Sequence, residues 1–520
     1  MKTPTLLEMH AREISGMLEC FDRVLLTGTY RAIGWPQAMT GYLSARGILL
    51  RDFASGTANT WRKEVGTHIR TLARAEGVEV RQVQPSERKE EVVAQILARR
   101  GRRPGVVCVL GAMERCRCFE LGHAAATGWA HLRWVPGKCQ HFYIYFVDAE
   151  FGLCHLRVPT WAPFRLQFCC NGHDWLERQM KKAGLRFEKV DNCFVHVSDL
   201  ELAQELVRGF DPRRLHRLLE ETAAHWVSVH REFGPSLHWS IHEAEWSTDL
   251  LFKRRDVLPE LYRSLVRTAV FEVGCTDIYH FLGKKAHASR KPKATSRLQT
   301  FIQGTRIKHA LGATSLKMYD KMERVLRIEC TTHDVTTFTH YRKVEPRRSA
   351  RSGQSQSDAG SSGFAEKKWA PMRKTLYNLG ALGRAMSACN RRYLAYISQW
   401  RDHTGARHDL RAVTASCRDE KARSVRGVNF FREDDLLLLQ ALQRGEYQIQ
   451  GLRNRHLQEH LPGWNPSKIG RNLRRLRVLK ILKRVPGTRK YYPTPRGEKV
   501  IAVGLQLKER LILPTLAAAA

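Results

Sequence analysis

No Cys-x-x-Cys pair occurs anywhere in this sequence. Its 13 cysteines are irregularly spaced, and the nearest approaches are Cys116-Arg117-Cys118 and the adjacent Cys169-Cys170. An odd, scattered set argues against a disulfide framework and against a four-ligand zinc site. Also missing is any apolar run of ~18 residues, so no membrane-spanning helix is expected. The N-terminal stretch MKTPTLLEMHAREISGML is broken by charges before a signal-like segment develops. These absences point to a cytoplasmic, reduced protein. Acidic residues are the other shortage, 51 against 87 Lys and Arg, for a formal net charge of +36. Such an excess disfavours a purely structural role and asks for a polyanionic partner. The basic residues are spread along the chain rather than gathered in one amphipathic helix, which favours nucleic acid over a membrane surface.

What is present is a globular composition, 43% hydrophobic over 520 residues, enough for two to four domains. Residues 5 to 20 read as an amphipathic helix leading into the strand Phe21–Thr29. Helical patterns at 36–47, 59–76 and 87–99 alternate with apolar strand-like runs at 106–110 and 141–146. Residues 140–168 read as a β-hairpin. Helical patterns return at 199–229, 257–272 and 372–399. The fold class expected is α+β, a mixed-sheet multi-domain core with a C-terminal winged-helix domain. The domains expected are 1–230, an α/β unit of open role; 231–345, a sheet domain; 346–367, a Ser/Gly linker that cannot build a core; 368–427, a helix and basic linker; and 428–510, a nucleic-acid-binding domain.

The most informative stretch is GTRIKHALGATSLKMYDKMERVLRIEC, residues 304–330. Read with period two, Lys317, Tyr319 and Lys321 share one face of a strand. Arg327 and Glu329 share a face of the next strand, and Met322-Glu323-Arg324 connects the two. A phenol flanked by ammonium groups suits a phosphate, whose oxyanion charge the lysines can neutralise. Upstream, residues 238–250 read as a strand with Glu243, Glu245 and Asp249 on one face.

The C-terminal part reads as helix, short helix, then a third helix started at Asn465-Pro466-Ser467, and a basic strand–Pro-Gly–strand hairpin. This order resembles the winged-helix DNA-binding domains of MarR- and ArsR-type regulators. The resemblance implies groove or phosphate contact by Lys468, Arg471, Arg474, Arg475 and Arg477, and wing contacts by Arg484, Arg489 and Lys490.

The order G-T-R, S-L-K-M-Y-D-K, R-I-E resembles the active-site region of rolling-circle replication initiators, of the plasmid Rep-trans and filamentous-phage nickase types, over residues 239–338. The resemblance implies a protein of a plasmid or mobile element that nicks and rejoins single-stranded DNA. Tyr319 would be the nucleophile and would become 5′-phosphotyrosyl. Lys317 and Lys321 would serve as phosphate-side cations, with Arg327 in support and Arg306 and Lys308 on the nucleic acid. Glu245, Asp249 and Glu329 would hold Mg²⁺ or Mn²⁺, which polarises the phosphate. The His-hydrophobe-His pair of the wider nickase superfamily is absent; the nearest histidines, His238 and His242, are four apart. In a regular strand Glu245 and Asp249 stand ~13 Å apart, so sharing one ion requires a bulge or bend. Two other readings are a non-catalytic winged-helix DNA- or RNA-binding regulator, and an RNase-H-like metal nuclease or transposase using Asp22 and Asp148.

Overall fold

The computed structural model describes residues 5–123, 128–285, 294–301, 304–344, 366–398, 410–442 and 451–507. The expected Ser/Gly linker lies almost wholly outside them. The chain divides into two compact units, Met1–Gln399 and Trp400–Ala520.

The first unit is built on one mixed sheet. Its strands, with one separate hairpin, are β1 (Ile14–Tyr30), β2 (Val80–Gln82), β3 (Gly105–His123), β4 (Ala130–Asp148), β5 (Gly152–Pro159), β6 (Leu166–Asn171), the hairpin β7 (Phe187–Val190) and β8 (Cys193–Val197), β9 (Leu237–Phe252), β10 (Ala294–Phe301), β11 (Gly304–Leu311), β12 (Thr314–Lys321) and β13 (Val325–Thr332). All of these but the hairpin β7–β8 form an 11-stranded sheet in the order β10-β11-β12-β13-β9-β1-β6-β5-β4-β3-β2, and a second separate pair, Thr339–Val344 with Glu366–Pro371, follows β13. Only the short pair β2–β3 is parallel.

The order contains a repeat. Each half starts with a long strand, β1 or β9, then passes through helices. A four-strand antiparallel meander follows, β3-β4-β5-β6 or β10-β11-β12-β13, and its last strand pairs with the first. The halves join where β1 and β9 run antiparallel from Ile14↔Phe252 to Tyr30↔Leu237. The division expected near residue 230 is therefore corrected. The two first strands pair with each other along their length, and one hydrophobic core spans both halves. The helix expected over 5–20 shrinks to Leu6–Met9, because β1 begins at Ile14.

Period-two alternation gives the sheet two unlike faces. One carries Leu26, Phe142, Ile144, Leu156, Phe168, Trp246, Leu250, Leu316, Met318 and Ile328, all buried in the core. Helices cover this face. In Leu379–Ile397, the small Gly383 lets the helix approach Trp246, whose ring lies 2.5 Å from where a Cβ would stand. The Asn390 Nδ2 of the same helix donates to the carbonyls of Trp246 and Ile328, at 3.1 Å each. The other face carries the polar members of the same strands and, over β3 and β4, a smaller apolar cluster of Leu110, Tyr145 and Val147 packed with Val92 and Val93 of the helix Lys89–Arg100.

Beside the first half of β1, past the end of β6, the sheet edge is closed by helices. Gln204, in the helix Leu200–Arg208, accepts from the Glu19 N–H at 2.9 Å and donates to its carbonyl at 3.1 Å. The helix Gly172–Lys182 starts where β6 stops, capped by the Asn171 side chain. A Cβ on Gly172 would lie 2.1 Å from the Phe21 carbonyl oxygen, so glycine is what lets this helix begin against β1.

The second unit has its own core, including Leu436, Leu439, Leu457, Ile469, Leu473, Leu476 and Ile481. Its elements are helices Glu433–Leu442, Asn454–Gln458 and Pro466–Val478, strands Leu482–Arg484 and Tyr491–Pro493 paired antiparallel, and helix Pro495–Leu507. Leu452 bridges to Tyr491 as a further strand position. Asn465 caps the helix Pro466–Val478 by accepting from the Lys468 N–H at 2.8 Å. No helix among the described residues is long and apolar enough to cross a membrane.

Candidate active site on the polar face of the sheet

The tyrosine hairpin forms as the alternation predicts. β12 and β13 pair with Lys317↔Glu329 and Tyr319↔Arg327 in register. The turn places Met322 and Glu323 at φ near +60°, held by the Asp320 carboxylate accepting from the Glu323 N–H at 2.9 Å. β13 then pairs with β9, setting Arg327 opposite Asp249 and Glu329 opposite Ser247. At the seam, β1 bulges between Phe21 and Arg23, which brings Asp22 as well as Arg23 to the polar face.

Tyr319 is half-buried, and its phenol donates to Glu329 Oε2 at 2.6 Å. Lys317 Nζ sits 2.5 Å from Glu329 Oε1 and 3.5 Å from Glu245 Oε1. Thr331 donates to Glu329 Oε1 at 3.1 Å. Arg23 reaches Glu245 at 3.4 Å and pairs with Glu243. Burial, and then the neighbouring Glu329, pushes the Tyr319 phenol well above its ordinary value. The phenol faces a carboxylate as well as Lys317 on that same carboxylate. Lys321 is turned away, to Asn192 and, at 3.5 Å, to Asp191 beside the hairpin β7–β8.

Arg327 does not support the phenol by contact. It is fully buried, and its guanidinium donates to both oxygens of Asp249 at 2.7 Å, to the Asn192 carbonyl at 2.8 Å and to Asp22 at 3.4 Å. His173 Nε2 lies 3.1 Å from the same guanidinium, and its Nδ1 faces Asp22 at 3.3 Å. Against the pull of burial, Arg327 and His173 hold Asp249 below the ordinary aspartate value.

The carboxylates expected to share a cation therefore separate. Asp249 belongs to Arg327, while Glu245 and Glu329 meet across Lys317. Burial and the adjacent Glu329 raise Glu245 above the usual carboxylate value, and Lys317 and Arg23 work against that rise. Among the described residues no group of three His, Cys, Asp or Glu side chains is placed to hold a metal ion. The trio Glu245, Asp249 and Glu329 does not fit one, since Arg327 holds both oxygens of Asp249 and Lys317 lies between the two glutamates.

Arg306 lies opposite Tyr319 and Lys308 opposite Lys317 on β11, with Arg297 opposite Lys308 on β10. Arg306 also donates to Gln299 at 2.6 Å. Burial, and then Lys317, Arg306 and Arg297 alongside, lowers Lys308, which marks a patch of crowded positive charge running outward from the tyrosine.

Of the alternative acidic pair, Asp148 accepts from the Glu150 and Phe151 N–H groups at 2.8 and 2.7 Å, the work of a turn residue. It stands on β4, three strands away from Asp22 on β1, so the two do not converge. His238 and His242 lie on β9 toward the end remote from Asp249.

In the second unit, Arg475 is corrected. It is buried and paired with Asp435 at 2.6 Å, so it holds helices together and cannot reach a groove. Arg471, Arg474, Arg484 and Arg489 are exposed, and Arg477 and Lys490 are half-exposed. Arg474 pairs with Asp419 at 2.6 Å, Lys468 with Asp434 at 3.3 Å, and Arg484 donates to the Thr488 carbonyl at 2.8 Å.

Sequence reasoning missed Arg23, His173 and Asn192, and assigned Asp22 elsewhere. All come from a segment up to 305 residues before Arg327, and no local pattern marks them. Comparison of the chain with protein-family models, with curated proteins and with solved structures returns no match.

Proposed function

We propose that this protein cleaves and rejoins single-stranded nucleic acid through Tyr319, in the manner of the rolling-circle initiators it resembles in sequence. The observation that carries the reading is the Tyr319–Glu329 hydrogen bond of 2.6 Å, with Lys317 on the same carboxylate. A raised phenol needs a base, and Glu329 is in reach of its proton. In the transfer, the Tyr319 oxygen bonds to phosphorus and the phosphorus–O3′ bond breaks. Glu329 takes the phenol proton, Lys317 protonates the departing 3′ oxygen, and the proton on Glu329 restores Lys317. Arg306 and Lys308 are the cations along which the strand's phosphates would lie.

We read the C-terminal unit, three helices followed by a two-strand hairpin, as a winged helix, with Arg471, Arg474, Arg477, Arg484 and Arg489 as its proposed DNA contacts. The test is incubation with a 3′-labelled single-stranded oligonucleotide, with and without Mg²⁺. A covalent protein–DNA adduct is expected, lost in Tyr319→Phe while binding is kept. A wild-type chain that binds DNA yet forms no adduct would leave the second reading, a DNA-binding regulator resting on the C-terminal arginines alone.

A further inference from the structure

The same face of the sheet carries a second tyrosine–glutamate pair, in the other half of the repeat. Tyr143 on β4 donates to Glu114 Oε2, on β3, at 2.7 Å. Lys89 Nζ lies 2.8 Å from Glu114 Oε1 and 4.6 Å from the centre of the Tyr143 ring. Arg157, opposite Tyr143 on β5, reaches Glu114 at 3.1 Å and the Tyr143 oxygen at 3.0 Å. Arg157 also donates to Gln167 on β6 at 3.2 Å. The parts match those around Tyr319: a phenol donating to a carboxylate that a lysine also holds.

Cross-strand register places both tyrosines on one face. From Asn171, next to Arg23, the alternation runs through Gln167 to Arg157 and Tyr143. The second constellation sits on the fourth strand from the seam, and Tyr319 on the third, so it is an arrangement of its own rather than an exact copy. Six strand spacings of about 4.8 Å, with a register offset from Leu18 to Thr27 on β1 at about 3.3 Å per residue, set the tyrosines on the order of 40 Å apart along the sheet. The Tyr143 cluster is the more open of the two. Its Glu114 and Lys89 side chains are each 24% exposed, against 4% for Glu329 and 14% for Lys317.

Its charge also differs. Glu114 faces two cations, an excess of one positive charge for a phosphate to meet. Although burial opposes ionisation, bonds from Lys89 and Tyr143 hold Glu114 down at about 2, so it stands ionised beside the phenol. Nothing in the chemistry proposed for Tyr319 uses this cluster.

We infer that Tyr143 is a second strand-transfer tyrosine, taking a phosphodiester of the same single-stranded class, with Glu114 as its base and Arg157 and Lys89 on the phosphate. The Tyr143 oxygen bonds to phosphorus and the phosphorus–O3′ bond breaks. The phenol proton passes to Glu114, Lys89 gives a proton to the leaving 3′ oxygen, and Glu114 returns one to Lys89. One chain could then hold two strand ends at once. This inference rests on the reading of Tyr319 as a nucleophile, and the experiment separates the two.

The full chain is incubated with a 3′-labelled single-stranded oligonucleotide pool of randomised centre, digested with nuclease and protease, and its peptides are mapped by mass spectrometry. Nucleotide adducts are expected on both Tyr319 and Tyr143 peptides. Tyr143→Phe should remove only the second, and Glu114→Gln should reduce it about 100-fold or more while the Tyr319 adduct persists. An adduct on Tyr319 with the Tyr143 peptide unmodified overturns the inference and leaves the parent reading standing. No adduct on either overturns both.

Discussion

Replacing Asp249 by alanine separates two readings of the buried acids, because they predict opposite signs. If Asp249 were a cation ligand, with Asp22 a further unpaired acid nearby, removing it would relieve repulsion and stabilise the cation-free protein. The structure instead sets Arg327 between them, fully buried, with both Asp249 oxygens at 2.7 Å. Deleting one partner of a buried pair strands the other charge and costs about 3–5 kcal/mol. For the unit Met1–Gln399, an unfolding entropy of about 2.1 cal/mol/K per residue converts this to a fall in Tm of about 4–6 °C.

The effect should depend on pH with a definite sign. Asp249 is depressed in the fold, so its contribution is full above the ordinary aspartate value of 3.8 and fades as pH falls through the lower folded value. The gap between wild type and Asp249→Ala should therefore be constant near neutrality and close below about pH 4. A double change, Asp249→Leu with Arg327→Met, removes both charges. It should recover to within about 1 kcal/mol of wild type. Asp22 would keep Asn192 and Asn171 as donors at 2.8 and 3.4 Å. Calorimetric melts across pH make the measurement. A Tm that rises in Asp249→Ala, or a double variant no better than the single, would refute the argument.

Asp320→Asn should stabilise the first unit at pH 7.5 and leave it unchanged at pH 4. Burial raises Asp320 to about 6, so the fold loses stability as pH climbs through that value. The gain, discounted for its half-exposed position, is about 1 kcal/mol in thermal melts. Glu329→Gln should slow adduct formation about 10²–10⁴-fold with strand affinity kept, checked by single-turnover kinetics. Arg471→Ala and Arg477→Ala should each lower the salt slope of DNA binding by about 1 in filter-binding titrations. Arg475→Ala should leave that slope alone and destabilise the second unit by about 2 kcal/mol in denaturant melts, since Asp435 then keeps only Arg426 and the Asn429 N–H. Gly172→Ala should give little folded protein, as judged by soluble yield, because its Cβ would meet the Phe21 carbonyl at 2.1 Å.

The sequence made local elements legible wherever periodicity was strong. The hairpin β12–β13, its turn, and the helices near 36–47, 59–76 and 257–272 are found where the pattern places them. What it concealed is long-range pairing. Nothing in FDRVLLTG announces that it lies beside the strand carrying Glu245, and the two halves repeat in topology without repeating in sequence. The same gap hid the surroundings of Arg327. Period two correctly set Arg327 and Glu329 on one face. Whether that face was wet depended on His173 and the hairpin β7–β8, which arrive from elsewhere in the chain. Arg475 misled for a similar reason. A basic helix looks uniformly solvated until a buried aspartate from another helix selects one residue.

The β1–β9 seam bears on how the chain is made. Ser247 donates to the Cys20 carbonyl across 227 residues of sequence. At a ribosomal pace of about 5–20 residues per second, β1 waits roughly 11–45 s after its own synthesis for its neighbour. During that interval a long apolar strand has a free edge, the kind of surface that recruits other nascent chains. Messages truncated before residue 237 should thus yield aggregates rather than a smaller folded protein.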